Sequence, residues 1–167
     1  MGLVNNLIAA LFGTKASRDM KELLPILDKI KSAYPQYTTL SHDELRQRVD
    51  GLKAQIRAYT ADDEQRLAHL KEQMEADGVS YDDKEKFASE AEKLAKHIDA
   101  RTEEVLNQVL PDAFAIMKET ARRFTENSTI SVTATEFDRE LAVTKDFVSI
   151  EGDQAIYQNR WMAGATK

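Results

Sequence analysis

Between Leu110 and Phe124 the chain reads LPDAFAIMKETARRF, and no other stretch restricts the fold as much. Pro111 suits the first turn of a helix, where a missing N–H has no partner to lose. Phe114, Met117, Ala121 and Phe124 recur at helical spacing and make one apolar stripe. Lys118, Arg122 and Arg123 form a basic rim toward the C-terminal end, where the helix dipole favours positive charge. The spacing predicts an amphipathic helix whose apolar face looks into a core.

The same period runs through most of the chain before it. Leu3, Leu7 and Leu11 share one face, with Val4, Ile8 and Phe12 beside them and Lys15 and Arg18 just behind. A secretory leader is not expected here, because no basic residue precedes the apolar positions and these are striped instead of continuous. A short amphipathic helix with cations behind it can lie in a membrane interface or pack on another protein. Ser17 to Ala33 reads as a longer helix with Met20, Leu23, Leu24, Leu27 and Ile30 on its apolar face. Pro25 either bends that helix or starts it, and Tyr34-Pro35 ends it.

Leu40 to Tyr59 carries the clearest start signal. Ser41 and Glu44 have capping-box spacing, and Leu40 and Leu45 stand where a hydrophobic staple closes. Leu45, Val49, Leu52 and Ile56 make its stripe, and Arg46, Arg48, Lys53 and Arg57 read as a solvated face. Thr60 to Asp77 is polar, with Leu67, Leu70 and Met74 at helical positions, and Gly78 suits a C-terminal cap. From Ser80 a helix is predicted to Val109, with Phe87, Ala91, Leu94, Ile98, Val105 and Val109 as its face. The last two segments read as an antiparallel helical pair. After Phe124 the period changes: Thr129 to Thr135 (TISVTAT) suits a strand, and Phe147–Ile150 and Gln154–Trp161 flank a Glu151-Gly152-Asp153 turn. The expected fold class is mainly α with a small β-hairpin or β-sheet near the C-terminus.

The net charge of −6 is unevenly spread. Residues 1–60 hold nine basic and six acidic side chains, residues 61–104 seven and fourteen, and residues 105–167 seven and nine. The acidic middle argues against nucleic acid as a partner, which needs a basic face, and the mildly basic start is compatible with an anionic membrane surface. There is no cysteine, so disulfides and thiolate metal sites are excluded. His42, His69 and His97 neither open an H-E-x-x-H motif nor follow a Glu by three residues, and they read as solvated surface histidines. No G-x-S-x-G elbow occurs, and Asp62-Asp63 and Asp82-Asp83 are adjacent pairs, which do not face each other on a helix. Gly164-Ala165-Thr166-Lys167 lacks the residues of a phosphate loop. No catalytic, cofactor-binding or metal-ligating residue is therefore assigned.

Leu110, Pro111, Asp112, Ala113, Phe114 and Ala115 resemble the "LPEAFA" segment of SecA, with Asp112 where Glu is usual. Leu40, Ser41, His42, Asp43, Glu44 and Leu45 are similar to its "LSDEEL", and the start of the chain, with Leu11-Phe12-Gly13, Arg18 and Tyr34-Pro35, also fits. SecA is the bacterial ATPase that drives secretory proteins through the membrane channel. The resemblance implies the incomplete N-terminal portion of a helicase-like α/β motor domain. It divides the chain into residues 1–60, which lead into the first nucleotide-binding domain, a charged helical-hairpin insertion at 61–104, and the start of that domain with a β-hairpin at 105–167. It implies ATP and Mg as cofactors of the parent protein, but the family's adenine-contacting glutamine and "GEGKT" loop fall beyond Lys167, so the chain alone is expected to be inactive. The implied partners are the protein-conducting channel of the plasma membrane, acidic phospholipids and preproteins, with room for a homodimer. Leu3, Val4, Leu7, Ile8, Leu11, Phe12, Lys15 and Arg18 are the candidate membrane or channel contacts. The implied location is the bacterial cytoplasm and the cytoplasmic face of the inner membrane. The rival expectation is a complete, non-enzymatic helical interaction protein or a peripheral membrane-binding module.

Overall fold

Four of the predicted helical segments fuse into two long helices in the structure, and two short helices, Pro35–Thr38 and Glu136–Thr144, arise where none is predicted. A computed structural model describes residues 15–160. In chain order these form α1 (Lys15–Ala33), α2 (Pro35–Thr38), α3 (His42–Glu75), α4 (Tyr81–Glu126), β1 (Thr129–Thr133), α5 (Glu136–Thr144), β2 (Val148–Glu151) and β3 (Gln154–Gln158). The expected pieces 40–59 and 60–77 are one helix, the 34-residue α3. The expected pieces 80–109 and 110–124 likewise merge into the 46-residue α4. Pro111 therefore lies inside a helix and not at its start. It has no N–H to give the Asn107 carbonyl, yet the helix continues, because one lost bond is small beside the packing of its two ends. Pro25 also lies inside α1, so that helix does not start there.

The end signals are legible in detail. α3 starts one residue after Ser41. Gly78, in the turn after it, has φ +82°, a conformation that glycine adopts without cost. Ser80 caps α4: its hydroxyl accepts the Asp83 N–H at 3.1 Å and donates to the Asp83 carboxylate at 2.7 Å.

The chain divides into two compact units. One is Glu44–Ala113, an antiparallel pair made from α3 and the first part of α4. Leu45, Leu70, Leu94, Val105 and Val109 are buried in it, and Phe87, Ala91 and Ile98 of the expected face are half-buried. The pairing direction follows from its cross-links. Arg101 lies 4.5 Å over the Tyr59 ring and donates to the Tyr59 carbonyl at 2.9 Å. Asp63, one turn further along α3, faces His97 at 3.7 Å, one turn back along α4.

The other unit combines the described residues up to Asp43 with the described residues from Phe114 onward. Its sheet has three antiparallel strands in the order β1-β3-β2, in which the expected strand from Thr129 pairs with the second strand of the expected hairpin. β1 alternates cleanly, burying Ile130 and Val132 and exposing Thr129, Ser131 and Thr133. Val132 pairs with Ala155, and with Ile130 these form the buried cluster on which Phe124, Ala134, Ile150 and Tyr157 pack. Side chains such as Ile130 and Val132 contribute about 1.5–3 kcal/mol each when fully buried. The expected strand stops at Thr133 because Thr135 starts α5 instead: Thr135 and Asp138 form a capping box. Asp138 is fully buried, and its carboxylate accepts the Thr135 N–H and hydroxyl, each at 2.8 Å, and the Tyr157 hydroxyl.

The β2–β3 turn tests how much backbone conformation alone contributes. Gly152 has φ +63° and open space where a Cβ would stand. Gly152→Ala is therefore expected to destabilise by about 1 kcal/mol through backbone strain, and Gly152→Asn by less. Equal midpoints for wild type and Gly152→Ala in urea unfolding would contradict this account of the turn.

Candidate functional site

A buried polar cluster lies in the sheet-containing unit, on the last turns of α4. Glu119, Arg122 and Arg123 stand at i, i+3 and i+4, so all three share one helix face. Glu119 has no solvent exposure, and Arg123 is 6% exposed. The Glu119 carboxylate accepts Nε and Nη2 of Arg122 at 2.9 and 2.7 Å, Nε of Arg123 at 2.8 Å and the Tyr34 hydroxyl at 3.0 Å. A carboxylate has about four lone-pair sites, so this one is saturated. Arg123 sends Nη2 to the carbonyls of Tyr37 and Leu40 at 3.2 and 2.6 Å and Nη1 to Nδ1 of His42 at 3.0 Å. Arg122 also bonds Glu126, and Lys118 lies 4.0 Å over the Tyr34 ring.

This arrangement ties α4 to the segment that joins α2 and α3. The neighbouring residue Asp43 extends the tie to the sheet, accepting the Thr133 N–H at 2.9 Å and its hydroxyl at 2.7 Å. The arginine hydrogen bonds hold the Glu119 carboxyl at about 2, against the opposing effect of burial. Burial, then Glu119, pushes the Tyr34 hydroxyl up, while burial and the Arg123 charge hold His42 below its ordinary value. A carboxylate so fully donated to is a poor general base. The cluster is a clamp, and its chemistry is positional.

The structure corrects the reading of LPDAFAIMKETARRF. The buried face is Ala115, Ile116, Glu119 and Arg123, on the opposite side of the helix from the predicted stripe. Phe114 is 57% and Met117 70% exposed, Ala121 is exposed, and only Phe124 packs on the sheet core. Hydrophobicity alone misplaced the core because the buried positions hold a paired acid and base. Arg122 and Arg123 of the predicted basic rim are clamp members. His42 is half-buried on Arg123 and not a free surface histidine.

Of the predicted contact residues, Leu3, Val4, Leu7, Ile8, Leu11 and Phe12 lie outside the described residues. Lys15 is exposed at the first position of α1, and Arg18 lies in the same helix. Along α1, Met20, Leu23, Leu24 and Leu27 are exposed and Ile30 is half-buried, so most of the predicted apolar face is uncovered. The Glu119–Arg122–Arg123 spacing was visible in the sequence as a helix charge pattern. Tyr34 and His42 were not findable, since they meet it from more than eighty residues away.

Among the described residues there is no glycine-rich turn with a following Lys, the positive-φ glycines Gly78 and Gly152 stand in ordinary turns, and the buried acids Glu119 and Asp138 are already engaged. Among the described residues no group of three or more His, Asp or Glu could hold a metal ion. No helix among them is long and apolar enough to cross a membrane.

Residues 8–137 match the family model described as the SecA DEAD-like domain. The chain is 47% identical over 163 residues to the protein translocase subunit SecA of Porphyromonas gingivalis, covering 98% of the chain and 14% of that relative. The corresponding protein of Phocaeicola vulgatus is 48% identical over 161 residues, and that of Parabacteroides distasonis 44% over 163 residues. These matches cover 96% and 98% of this chain and again 14% of each relative. The chain thus spans about one seventh of the length of these relatives. No solved structure gives a significant match.

The clamp makes two expectations for the 167-residue chain. Glu119→Ala leaves Arg123 buried without its counter-charge and should cost about 3–5 kcal/mol in urea unfolding. Because the folded carboxyl sits at about 2, below its ordinary 4.5, the unfolded chain binds this proton more tightly. The stability it contributes is complete above pH 4.5 and is lost as the pH falls toward about 2. Stability measured across that window should fall in wild type and lose this component in Glu119→Gln; identical acid limbs would refute the clamp.

Proposed function

The chain belongs to the SecA family, and on that premise we propose that it is the amino-terminal part of a protein translocase motor that couples ATP hydrolysis to the export of preproteins through a membrane channel. The observation that carries this reading is the match along almost the whole chain at 44–48% identity, with relatives about seven times its length. In this reading the ATP and Mg sites belong to later parts of the parent, and these residues neither bind nor hydrolyse ATP. Their contribution is contact and packing. The exposed Phe114 and Met117, on a helix whose other face is the clamp, support a surface that the parent covers. The stripe Met20, Leu23, Leu24 and Leu27 on α1, with Lys15, Lys21, Lys29 and Lys31 on the same helix, supports contact with an anionic membrane surface or the channel. Leu3, Val4, Leu7, Ile8, Leu11, Phe12 and Arg18 would extend that contact surface. The parent would work from the cytoplasm against the inner face of the plasma membrane.

Two measurements test this. The native protein, purified from cells, should be far larger than 167 residues and should hydrolyse ATP, whereas the 167-residue chain should not. A native product of 167 residues, or normal ATP turnover by the short chain, would remove the proposal. For the contact surface, the chain should co-sediment with vesicles containing acidic phospholipid, weaken with salt and lose binding when residues 1–12 are deleted. Equal binding to neutral vesicles in high salt would rule out the electrostatic part.

A further inference from the structure

Arg123 gives its protons to acceptors of different kinds. The Glu119 carboxylate and the Tyr37 and Leu40 carbonyls accept at any pH near neutrality. The remaining acceptor, Nδ1 of His42 at 3.0 Å, accepts only as a neutral imidazole carrying its proton on Nε2, since a guanidinium is always the donor. Protonating His42 removes that lone pair and sets a second cation against the first.

We propose that His42 is a proton-operated latch: neutral, it joins the first turn of α3 to α4 through Arg123, and protonated, it lets go of the guanidinium while Glu119, Tyr37 and Leu40 keep Arg123 in place. The charges around it decide the direction. From α4, Arg123 disfavours a charge on His42, and Glu119 favours one, but that carboxylate is already shared between two arginines. From α3 itself, Asp43 favours the charge, but its carboxylate is engaged by Thr133 of β1. Burial and Arg123 prevail, so folded His42 takes a proton less readily than His42 in the unfolded chain. The latch is closed above the ordinary histidine value of 6.5 and opens as the pH falls below it. The Asp43–Thr133 bonds do not depend on the imidazole, so the first turn of α3 keeps its tie to the sheet after release.

Nitrogen NMR of the histidine rings and arginine side chains, recorded on the whole chain from about pH 8 to about pH 5, tests the latch. His69→Gln and His97→Gln variants assign the His42 signals. The expected result is an Nε2–H tautomer at high pH, a His42 midpoint below 6.5, and Arg123 Nη signals that move with the same midpoint while its Nε signal stays. In His42→Asn, whose amide oxygen accepts a hydrogen bond but takes no proton, the Arg123 signals should no longer move. An Nδ1–H tautomer, a midpoint at or above 6.5, or Arg123 signals indifferent to His42 would each overturn the proposal. Should His42→Asn not fold, the wild-type titration decides alone.

Discussion

The pairing of Glu119 with Arg123 is the constraint on which the sheet-containing unit depends. Two charges taken out of water cost several kcal/mol each, and they stay buried only if nearly every donor and acceptor is met. Here the carboxylate is saturated by two guanidiniums and a phenol, and Arg123 finds two carbonyls and an imidazole for its remaining protons. Those partners come from the end of one helix, the start of another and the segment between them. A hydrophobic contact would tolerate sliding by a few tenths of an ångström, whereas this set of directional bonds does not. The clamp therefore sets position more than it adds stability.

From that point the unit is built outward by satisfied polar groups. Asp43, beside His42, reaches the edge of β1 through Thr133, where an unpaired strand amide would otherwise face solvent. Thr135 ends the strand run and begins α5, and the buried Asp138 is met by that cap and by Tyr157 from β3. The apolar cluster of Ile130, Val132 and Ala155 fills the space between these ties. Apolar burial supplies the driving force, and the buried acids Glu119 and Asp138 select which arrangement of elements satisfies it.

The uncovered surfaces are as informative as the covered ones. Phe114, Met117 and the α1 stripe keep the spacing of core positions while remaining exposed. A chain that spans one seventh of its relatives' length has such faces if the remaining length is what normally covers them. The helical pair Glu44–Ala113 buries Leu45, Leu70, Leu94, Val105 and Val109, while Val49 and Leu106 stay exposed among charged residues.

The sequence by itself determined the family and the type of most elements, but not α5, whose nine residues follow directly on the expected strand. Apolar period, the Ser80 cap, the glycines at 78 and 152 and the alternation of β1 are local signals, since each acts within a few residues. It did not determine where helices fuse or which side of α4 is buried. Pro111 is tolerated inside α4 because contacts at both ends outweigh one missing bond. Glu119 and Arg123 point inward because Tyr34, Tyr37, Leu40 and His42 complete their hydrogen bonds, and only the tertiary structure brings those residues to them. Hydrophobic spacing favours the Phe114–Met117–Ala121 face of α4, because the partners that let Glu119 and Arg123 be buried are distant in sequence.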